Sequence, residues 1–195
     1  MLIDISQEVS ACRVYPGDPE PVLTRLQRIE NGDTCNLTAF SMCAHNGTHV
    51  DAPFHFLPDG KTIGQMGLVP FVGSCYVSRQ RGDVSAQDAS DILAAARRAG
   101  AGERILIAGE ATVTAEAARF FAGAGILLLG NESQTVGPEE APMEVHLLLL
   151  GAGIVLLEGI VLDDVPDGAY FLSAAPLHLG SSDGAPCRAY LIRNT

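Results

Sequence analysis

RILIAGEATVTAEAARFFAGAGILLLG, residues 104–130, is the stretch that decides the fold class. Its apolar run Arg104 to Ala108 predicts a buried strand, Thr114 to Ala122 predicts a short helix, and Ile126 to Leu129 predicts a second buried strand. Strands that alternate with helices usually become parallel neighbours in a sheet that the helices cover. This stretch therefore predicts an α/β fold.

The alternation continues on both sides of this stretch. Phe71 to Arg79 predicts a strand, and it is followed by an alanine-rich helix that Ser85 caps and that ends near Gly100. Downstream, Pro142 to Leu150 predicts a short helix and Ile154 to Leu157 a buried strand. The central half of the chain thus reads as successive strand and helix units.

The amino-terminal part does not alternate in this way. Leu2 to Val9, Val22 to Ile29 and Thr34 to Ala44 each predict a strand, and Asn31-Gly32-Asp33 predicts the turn between the last two. We therefore expect a mixed sheet or a barrel-like α/β arrangement with flanking helices. With 195 residues and no linker or repeat, the chain is expected to form a single domain, residues 1–195.

Composition and charge restrict the class of partner. The formal net charge is −11, which disfavours binding to nucleic acid or to an anionic membrane, so a small-molecule partner is expected. No apolar run approaches the length of a membrane span, and the amino terminus lacks the features of a signal peptide. Five scattered cysteines without a CxxC pair favour reduced thiols, and together these observations predict a cytoplasmic protein.

The densest group of chemically active side chains is HNGTHVDAPFHF, residues 45–56. His45, His49, Asp51 and His55 all fall at odd positions, whereas the even positions from Val50 onward are apolar. In an extended segment, successive side chains point to opposite faces, so this pattern would place the imidazoles and the carboxylate together. A helical arrangement is disfavoured because glycine, proline and β-branched residues interrupt the run.

Imidazole nitrogen and carboxylate oxygen are ligands of zinc and related divalent ions, so the cluster predicts a metal site. The competing interpretation is that the histidines only satisfy hydrogen bonds in a half-buried strand. Cys43 lies nearby, but we expect it to be a structural thiol. His146, within an apolar helix, and Glu158, at a strand end, would each be structural if taken alone. Beside a bound ion, however, the positive charge of the ion offsets the free-energy cost of burying a carboxylate.

The motif His45-x-Gly47-Thr48-His49-x-Asp51-x-Pro53-x-His55-Phe56 resembles the signature of the putative cyclase family, which includes bacterial kynurenine formamidases and isatin hydrolases. Tyr15-Pro16-Gly17-Asp18 resembles the family's amino-terminal substrate segment. His146 and Glu158 recur with the family's spacing of twelve, and residues 183–189 resemble its closing motif, DGAPCRA. The resemblance covers essentially the whole chain.

This resemblance implies a swivelling β/β/α-type fold, a homo-oligomer (dimer or tetramer) and a site for two divalent ions, with Zn²⁺ expected and Mn²⁺ the alternative. Residue by residue, it implies that His45, His49 and Asp51 hold the first ion and that Asp51, His146 and Glu158 hold the second. Asp51 and Glu158 would bridge the ions. His55 would be the acid/base, and Tyr15 would bind substrate where kynurenine formamidases usually have tryptophan.

The implied activity is hydrolysis of a small aryl formamide or cyclic amide, such as N-formylkynurenine, by metal-bound hydroxide. Two alternatives remain open: a metal-dependent cyclase or dehydratase, and a non-catalytic metal- or ligand-binding protein. No catalytic role is expected for Asp183, Arg188 or His178. The stretch Asn131-Glu132-Ser133-Gln134 differs from the Asp-containing stretch of relatives, and the loop from Pro58 to Gly67 is a candidate lid.

Overall fold

The predicted alternation of strands and helices forms the parallel centre of a nine-stranded sheet. The computed structural model describes residues 1–193. In chain order, the strands in this range are β1 (Leu2–Asp4), β2 (Val22–Gln27), β3 (Leu37–Ser41), β4 (His49–Asp51), β5 (Val72–Arg79), β6 (Gly82–Val84), β7 (Arg104–Ala108), β8 (Ala111–Val113), β9 (Leu128–Asn131), β10 (Val155–Glu158), β11 (Gly168–Ser173), β12 (Gly184–Pro186) and β13 (Tyr190–Ile192). The helices are α1 (Ala86–Arg98), α2 (Ala115–Ala122) and α3 (Met143–Gly151).

The main sheet has the order β1-β13-β11-β5-β7-β9-β10-β4-β12. Its four central strands, β5, β7, β9 and β10, are parallel neighbours, as the alternating pattern predicts. The strands on either side are antiparallel to their neighbours, and the sheet curls into a half-barrel. The expected mixed α/β class is therefore confirmed. Outside this sheet, β2 and β3 form a hairpin, and β6 pairs with β8.

Each face of the central strands packs into its own apolar cluster, because successive side chains alternate between the faces. Leu156 packs on the helical side with Ile92 of α1, Phe121 of α2 and Leu149 of α3. Its neighbour Leu157 belongs to the other cluster, inside the curl. Central strands buried on both faces explain the nearly continuous apolar runs in this part of the sequence.

Local signals set the helix starts as predicted. The Ser85 hydroxyl accepts a hydrogen bond from the Asp88 N–H, and the Asp88 carboxylate accepts one from the Ser85 N–H, which completes a capping box at α1. Strand ends were predicted less well. The strand expected over Leu2 to Val9 ends at Asp4, and the strand expected over Ile126 to Leu129 begins two residues later.

The loop from Pro58 to Gly67 is tied to the body of the protein. Ile63 and Gly64 donate backbone hydrogen bonds to the carbonyls of Ser182 and Gly180, and the Ile63 side chain is buried in the core inside the curl. These contacts do not favour a lid that swings open. In residues 1–193, none of the helices has the length and apolar character that a membrane crossing requires.

Candidate active site

The segment 45–56 is not one continuous strand, so the expected extended geometry is only partly correct. His49, Val50 and Asp51 form β4, whereas His45 lies in the preceding turn and His55 ends a short 3-10 helix that begins at Pro53. Val50 is buried in the core, and the His49 and Asp51 side chains lie on the other face. The alternation fails after Ala52 because Pro53 starts the 3-10 helix, and Phe54 is 40% exposed.

Neighbouring strands bring the distant ligand candidates together. β4 lies between β10 and β12, so His49 is opposite Glu158, and Asp51 is opposite Gly184. Helix α3, which precedes β10, supplies His146. The five predicted ligands lie together around β4, and Tyr15 and His55 line the same cavity as His49.

Two imidazoles face two carboxylates in a nearly symmetrical arrangement. His49 Nε2 lies 3.5 Å from Asp51 Oδ1 and 3.4 Å from Glu158 Oε2. His146 Nε2 lies 3.6 Å from Asp51 Oδ2 and 3.3 Å from Glu158 Oε1. Each carboxylate thus presents one oxygen to each histidine. All four side chains are at most 3% exposed.

Backbone carbonyls fix the tautomers of these two histidines. His49 Nδ1 is 2.9 Å from the Gly47 carbonyl oxygen, and His146 Nδ1 is 2.9 Å from the Pro142 carbonyl oxygen. A carbonyl only accepts, so each Nδ1 carries the proton and donates it. The lone pair of each neutral ring is then at Nε2, directed at the two carboxylates. These nitrogen lone pairs and the carboxylate oxygens repel each other unless a cation or a proton lies between them.

The spacing of these atoms suits a metal ion. Two ligand atoms of a tetrahedral ion with bonds of about 2.0–2.1 Å lie roughly 3.3–3.4 Å apart, close to the separations above. Asp51 Oδ2 is buried and has no hydrogen-bond partner within residues 1–193, which an ion would remedy. Glu158 Oε1 accepts a hydrogen bond from the Val136 N–H at 2.8 Å, which holds that carboxylate in place. The buried His, Asp and Glu groups can therefore hold a metal.

His45 joins the cluster through hydrogen bonds at both ring nitrogens. Its Nδ1 lies 2.9 Å from Asp51 Oδ1, and its Nε2 lies 2.8 Å from Asp183 Oδ2. Burial opposes the charged ring, but the bonds to Asp183 and Asp51 outweigh it and raise the pKa of His45 to about 11. In this arrangement Asp51 Oδ1 accepts a hydrogen bond from the protonated Nδ1 of His45. An ion that displaced this proton would leave Asp183 as the carboxylate supporting the ring, as is usual for metal-binding histidines.

The carboxylates of the cluster favour positive charge on the rings of His45 and His146. Burial lowers the pKa of His146, but its contacts with Asp51 and Glu158 reverse this effect and raise that pKa to about 10. Burial likewise acts to raise the pKa of Asp51, yet His146 and His45 hold it well below its usual value. The two carboxylates are suited to binding a cation in the buried site.

Asp183 is the functional candidate that the sequence interpretation missed. Its Oδ2 contacts His55 Nδ1 at 3.1 Å as well as His45 Nε2, and the rings of His45 and His55 stack with centroids 4.1 Å apart. The residue after Asp183 must be small, because a Cβ added at Gly184 would come within 2.6 Å of His45 Cε1. The closing DGAPCRA motif contained this signal, but its spacing alone gave no partner for Asp183.

His55 differs from His45 and His146 in the direction of its pKa shift. Burial lowers its pKa below the ordinary value, and the carboxylates of Asp51 and Asp183 do not fully restore it. The ring is therefore neutral near pH 7. Because Nδ1 donates to Asp183, the Nε2 lone pair is free to accept a proton.

A cavity of about 320 Å³ opens onto these residues. Besides histidines and Glu158, its wall contains Tyr15, Asp18, Phe56, Gln134, Thr135 and Pro142. The Tyr15 hydroxyl donates a hydrogen bond to the Glu139 carbonyl at 2.9 Å, which anchors that residue in the wall. The Gln134 amide and the Thr135 hydroxyl are buried and have no hydrogen-bond partner among the described residues. From the sequence alone, Gln134 stands out only as part of a stretch that differs from relatives.

Other candidates lie outside the cluster. The Cys43 thiol is half-buried and donates to Asp18 Oδ2 at 3.5 Å, in agreement with a structural role. His178 is exposed, and Arg188 is exposed and paired with Asp4. His178 and Arg188 both lie outside the ligand cluster.

Comparison with known proteins decides the family. Residues 3–138 match the family described as Putative cyclase. The chain belongs to this family. It is also 33% identical over 202 residues to a kynurenine formamidase of Erythrobacter litoralis (strain HTCC2594), an alignment that covers 96% of this chain and 92% of the relative. The resemblance inferred from the HNGTHVDAPFHF motif is therefore confirmed.

Solved structures agree with the fold across the whole chain. A potential metal-dependent hydrolase with cyclase activity superposes with a TM-score of 0.81 at 26% identity, covering 100% of this chain and 99% of the other. Isatin hydrolase A from Labrenzia aggregata, bound to benzyl benzoate, has a TM-score of 0.81 at 21% identity and covers 100% and 94%. This second likeness shows the shared fold.

Proposed function

We propose that this member of the cyclase family is a metal-dependent amidohydrolase that acts on a non-peptide C–N bond. The substrate is a small aryl formamide or cyclic amide, such as N-formylkynurenine. His45, His49 and Asp51 hold one divalent ion, and Asp51, His146 and Glu158 hold a second. Zn²⁺ is the expected ion, and Mn²⁺ is the alternative that the same oxygen and nitrogen ligands accept.

One observation carries this proposal: the Nε2 atoms of His49 and His146 both face the carboxylates of Asp51 and Glu158 at 3.3–3.6 Å. The Nδ1 bonds to backbone carbonyls favour rings that are ready to bind metal. The kynurenine formamidase relative and the metal-dependent hydrolase with a similar fold support a hydrolytic role for such a centre.

Divalent ions bound here would lower the pKa of water from about 15.7 to roughly 7 and polarise a carbonyl oxygen. The chain supplies the proton transfer. His55, with Nδ1 held by Asp183, accepts a proton at Nε2 and returns it to the leaving nitrogen. Because the pKa of His55 is lowered, the ring begins the cycle neutral, as a base must.

The cavity wall suits a small aromatic amide. Tyr15 and Phe56 provide aromatic surface, and the Phe56 ring packs 4.5 Å from the His146 ring. The buried Gln134 side chain offers an NH₂ group that can donate to the C=O of an amide and an oxygen that can accept from its N–H. About 320 Å³ is at the lower end of the range for small-molecule sites.

The proposal is tested by measuring metal content together with hydrolysis of N-formylkynurenine, isatin and simple aryl amides. We expect about two divalent ions per chain and turnover of at least one of the first two compounds. Protein that contains metal but hydrolyses none of them would count against the substrate class. Protein that binds no divalent ion would overturn the proposal.

A second candidate reaction is a metal-dependent cyclisation or dehydration, because the similar hydrolase structure is described as having cyclase activity. Turnover in ¹⁸O-labelled water separates the two reactions. Hydrolysis incorporates one labelled oxygen into the formate or carboxylate product, whereas a lyase or cyclase reaction incorporates none.

Removing the metal should destabilise the protein. Without ions, the buried Asp51 and Glu158 carboxylates depend on histidine protonation for compensation. A site saturated at about 100 times its dissociation constant contributes roughly 2.7 kcal/mol, or about 5–10 °C in Tm for a chain of this size. Differential scanning calorimetry before and after chelation, with Zn²⁺ added back, measures the shift. A Tm that chelation leaves unchanged would contradict a buried ion.

Asp183→Asn tests the positioning of His45 and His55. An amide oxygen accepts more weakly than a carboxylate, so both rings lose orientation, and we expect kcat to fall by about 10–100-fold with little change in KM. Metal affinity, measured by competition with a chromogenic chelator, should fall by a similar factor, and Asp183→Glu should recover part of kcat. Asp164→Asn, at an exposed position, is the matched control. Unchanged kcat and metal affinity in Asp183→Asn would show that Asp183 has no positioning role.

A further inference from the structure

Gln134 and Thr135 have an unusual environment for buried polar residues. They are 5% and 3% exposed, and three of their side-chain atoms, Gln134 Nε2, Gln134 Oε1 and Thr135 Oγ1, have no hydrogen-bond partner within residues 1–193. Buried polar atoms in folded proteins are nearly always paired, because an unpaired atom has lost its bonds to water without compensation. Three such atoms in two adjacent residues indicate a place where a polar ligand binds.

Backbone hydrogen bonds fix these two residues beside a proposed metal ligand. On one side of them, the Ser133 carbonyl accepts a hydrogen bond from the Gly159 N–H at 2.8 Å. On the other side, the Val136 N–H donates to Glu158 Oε1 at 2.8 Å. The two residues between these anchors contribute to the wall of the cavity of about 320 Å³. They are thus held next to the proposed metal site.

A neighbouring amide does not serve as the partner of Gln134. A Cβ added at Gly159 would lie 2.8 Å from both Gln134 Nε2 and Gln7 Nε2, so the two amides flank this glycine. Gln7 Nε2, however, donates to the Gly159 carbonyl at 2.8 Å, and Gln7 Oε1 accepts a hydrogen bond from the Arg13 N–H at 3.0 Å. Both ends of the Gln7 amide are therefore engaged. The partner of the Gln134 amide is expected to come from the cavity.

The shape of a primary amide restricts the ligand that it binds at both ends. Its oxygen and one of its N–H groups lie side by side, so the matching ligand carries a donor and an acceptor along one edge. A secondary amide offers this edge when its N–H and C=O are cis. Lactams hold this geometry, and aryl formamides reach it because the formyl hydrogen is small. Esters and N-alkylated amides have no N–H to offer.

We propose that Gln134 is a specificity-determining residue that selects amides with a free N–H. Its Nε2 donates to the substrate carbonyl, and its Oε1 accepts from the substrate N–H. As hydroxide adds to the carbonyl carbon, the carbonyl oxygen gains negative charge, so the bond from Nε2 strengthens toward the transition state. This inference deepens the proposed function and rests on it.

The other polar and aromatic groups of the cavity wall do not make this selection. The Asp18 carboxylate only accepts hydrogen bonds, and the Tyr15 hydroxyl is already bonded to a backbone carbonyl. Phe56 is apolar. The Thr135 hydroxyl can rotate to donate or accept, so it suits many polar groups. Gln134 differs from these residues because its donor and its acceptor are held on one planar group.

The test is calorimetric titration of the zinc-loaded protein with two probes, oxindole and N-methyloxindole. Oxindole is a lactam with N–H and C=O on one edge, and the methyl group removes the donor. The wild type should bind oxindole at least about 10-fold more tightly than N-methyloxindole. Gln134→Met keeps the length of the side chain but loses both polar ends, so it should bind the two probes within about threefold of each other.

Gln87→Met is the matched control, because Gln87 is an exposed residue of α1, and it should keep the wild-type preference. The added methyl group also changes the volume of the probe, but this effect is common to the proteins compared. An equal preference for oxindole in the wild type and in Gln134→Met would overturn the proposal. A wild type that binds neither probe, or binds both equally, would overturn it as well.

A stability measurement covers the possibility that Gln134→Met does not fold. Because the Gln134 amide has no hydrogen-bond partner within residues 1–193, its replacement should leave Tm unchanged or raise it by about 2–4 °C. A variant that unfolds, or whose Tm falls by more than about 5 °C, would show that the amide supports the fold instead and would overturn the proposal.

The titrations measure binding without turnover. They remain interpretable even if the protein hydrolyses no amide, so failure of this inference and failure of the proposed function are distinguishable.

Discussion

His55→Ala is expected to lower kcat for amide hydrolysis by about 10²–10⁴-fold, the usual contribution of a positioned acid/base group. The reason is geometric: His55 Nδ1 is held by Asp183 at 3.1 Å, and Nε2 is left to exchange a proton. The His55 ring does not belong to the ligands proposed for either ion. Metal content, measured by mass spectrometry of the purified protein, should therefore stay at the wild-type value.

His178→Ala is the matched control, because His178 is exposed and lies outside the site. It should retain both turnover and metal. A His55→Ala protein that turned over at the wild-type rate would rule out His55 as the acid/base. A protein that lost metal together with turnover would instead make His55 a ligand, which the grouping of His45, Asp51 and His55 ligand atoms within 4.8 Å permits.

Asp51→Asn should have the largest effect on metal binding. Asp51 presents one oxygen to His49 and the other to His146, so it is the residue shared by both proposed ion sites. Replacing one oxygen by an amide nitrogen removes the negative charge and one ligand atom at almost constant volume. We expect the metal content to fall from about two ions per chain to less than one, and turnover to fall by about 10³-fold or more.

The control for this variant is Asp91→Asn, because Asp91 is an exposed residue of α1 with the same change in charge. Metal content and turnover are measured on both variants after identical purification. If Asp51→Asn retained two ions and full activity, Asp51 would not bridge them, and the proposed ligand sets would be wrong.

The parts of the fold that local periodicity determines were predictable from sequence. The stretch 104–130 gave β7 with its correct bounds and α2 to within one residue, because the predicted first residue, Thr114, is the N-cap of the helix. The antiparallel outer strands β11 and β13 received no assignment, because segments of only six and three residues are too short to show a clear periodicity. The apolar pattern of the β2–β3 hairpin predicted two strands, but periodicity does not reveal what covers their apolar side chains.

The site was predictable where its residues are close in sequence and chemically unusual, as in residues 45–56. His146 and Glu158 became candidates for metal binding through family resemblance, because each alone fits a structural role equally well. Asp183 was missed since its contacts with His45 and His55 depend on the pairing of β12 with β4 across more than 120 residues of chain. Long-range pairing of this kind cannot be read from local spacing.

The most direct test of the central claim is a crystal structure of the zinc-loaded protein with anomalous diffraction recorded at the zinc edge. We expect two anomalous peaks per chain. One should lie about 2.0–2.2 Å from ligand atoms of His49, Asp51 and His45, and the other at the same range from His146, Asp51 and Glu158. A single peak, or a structure in which His146 and Glu158 contact no metal, would contradict it.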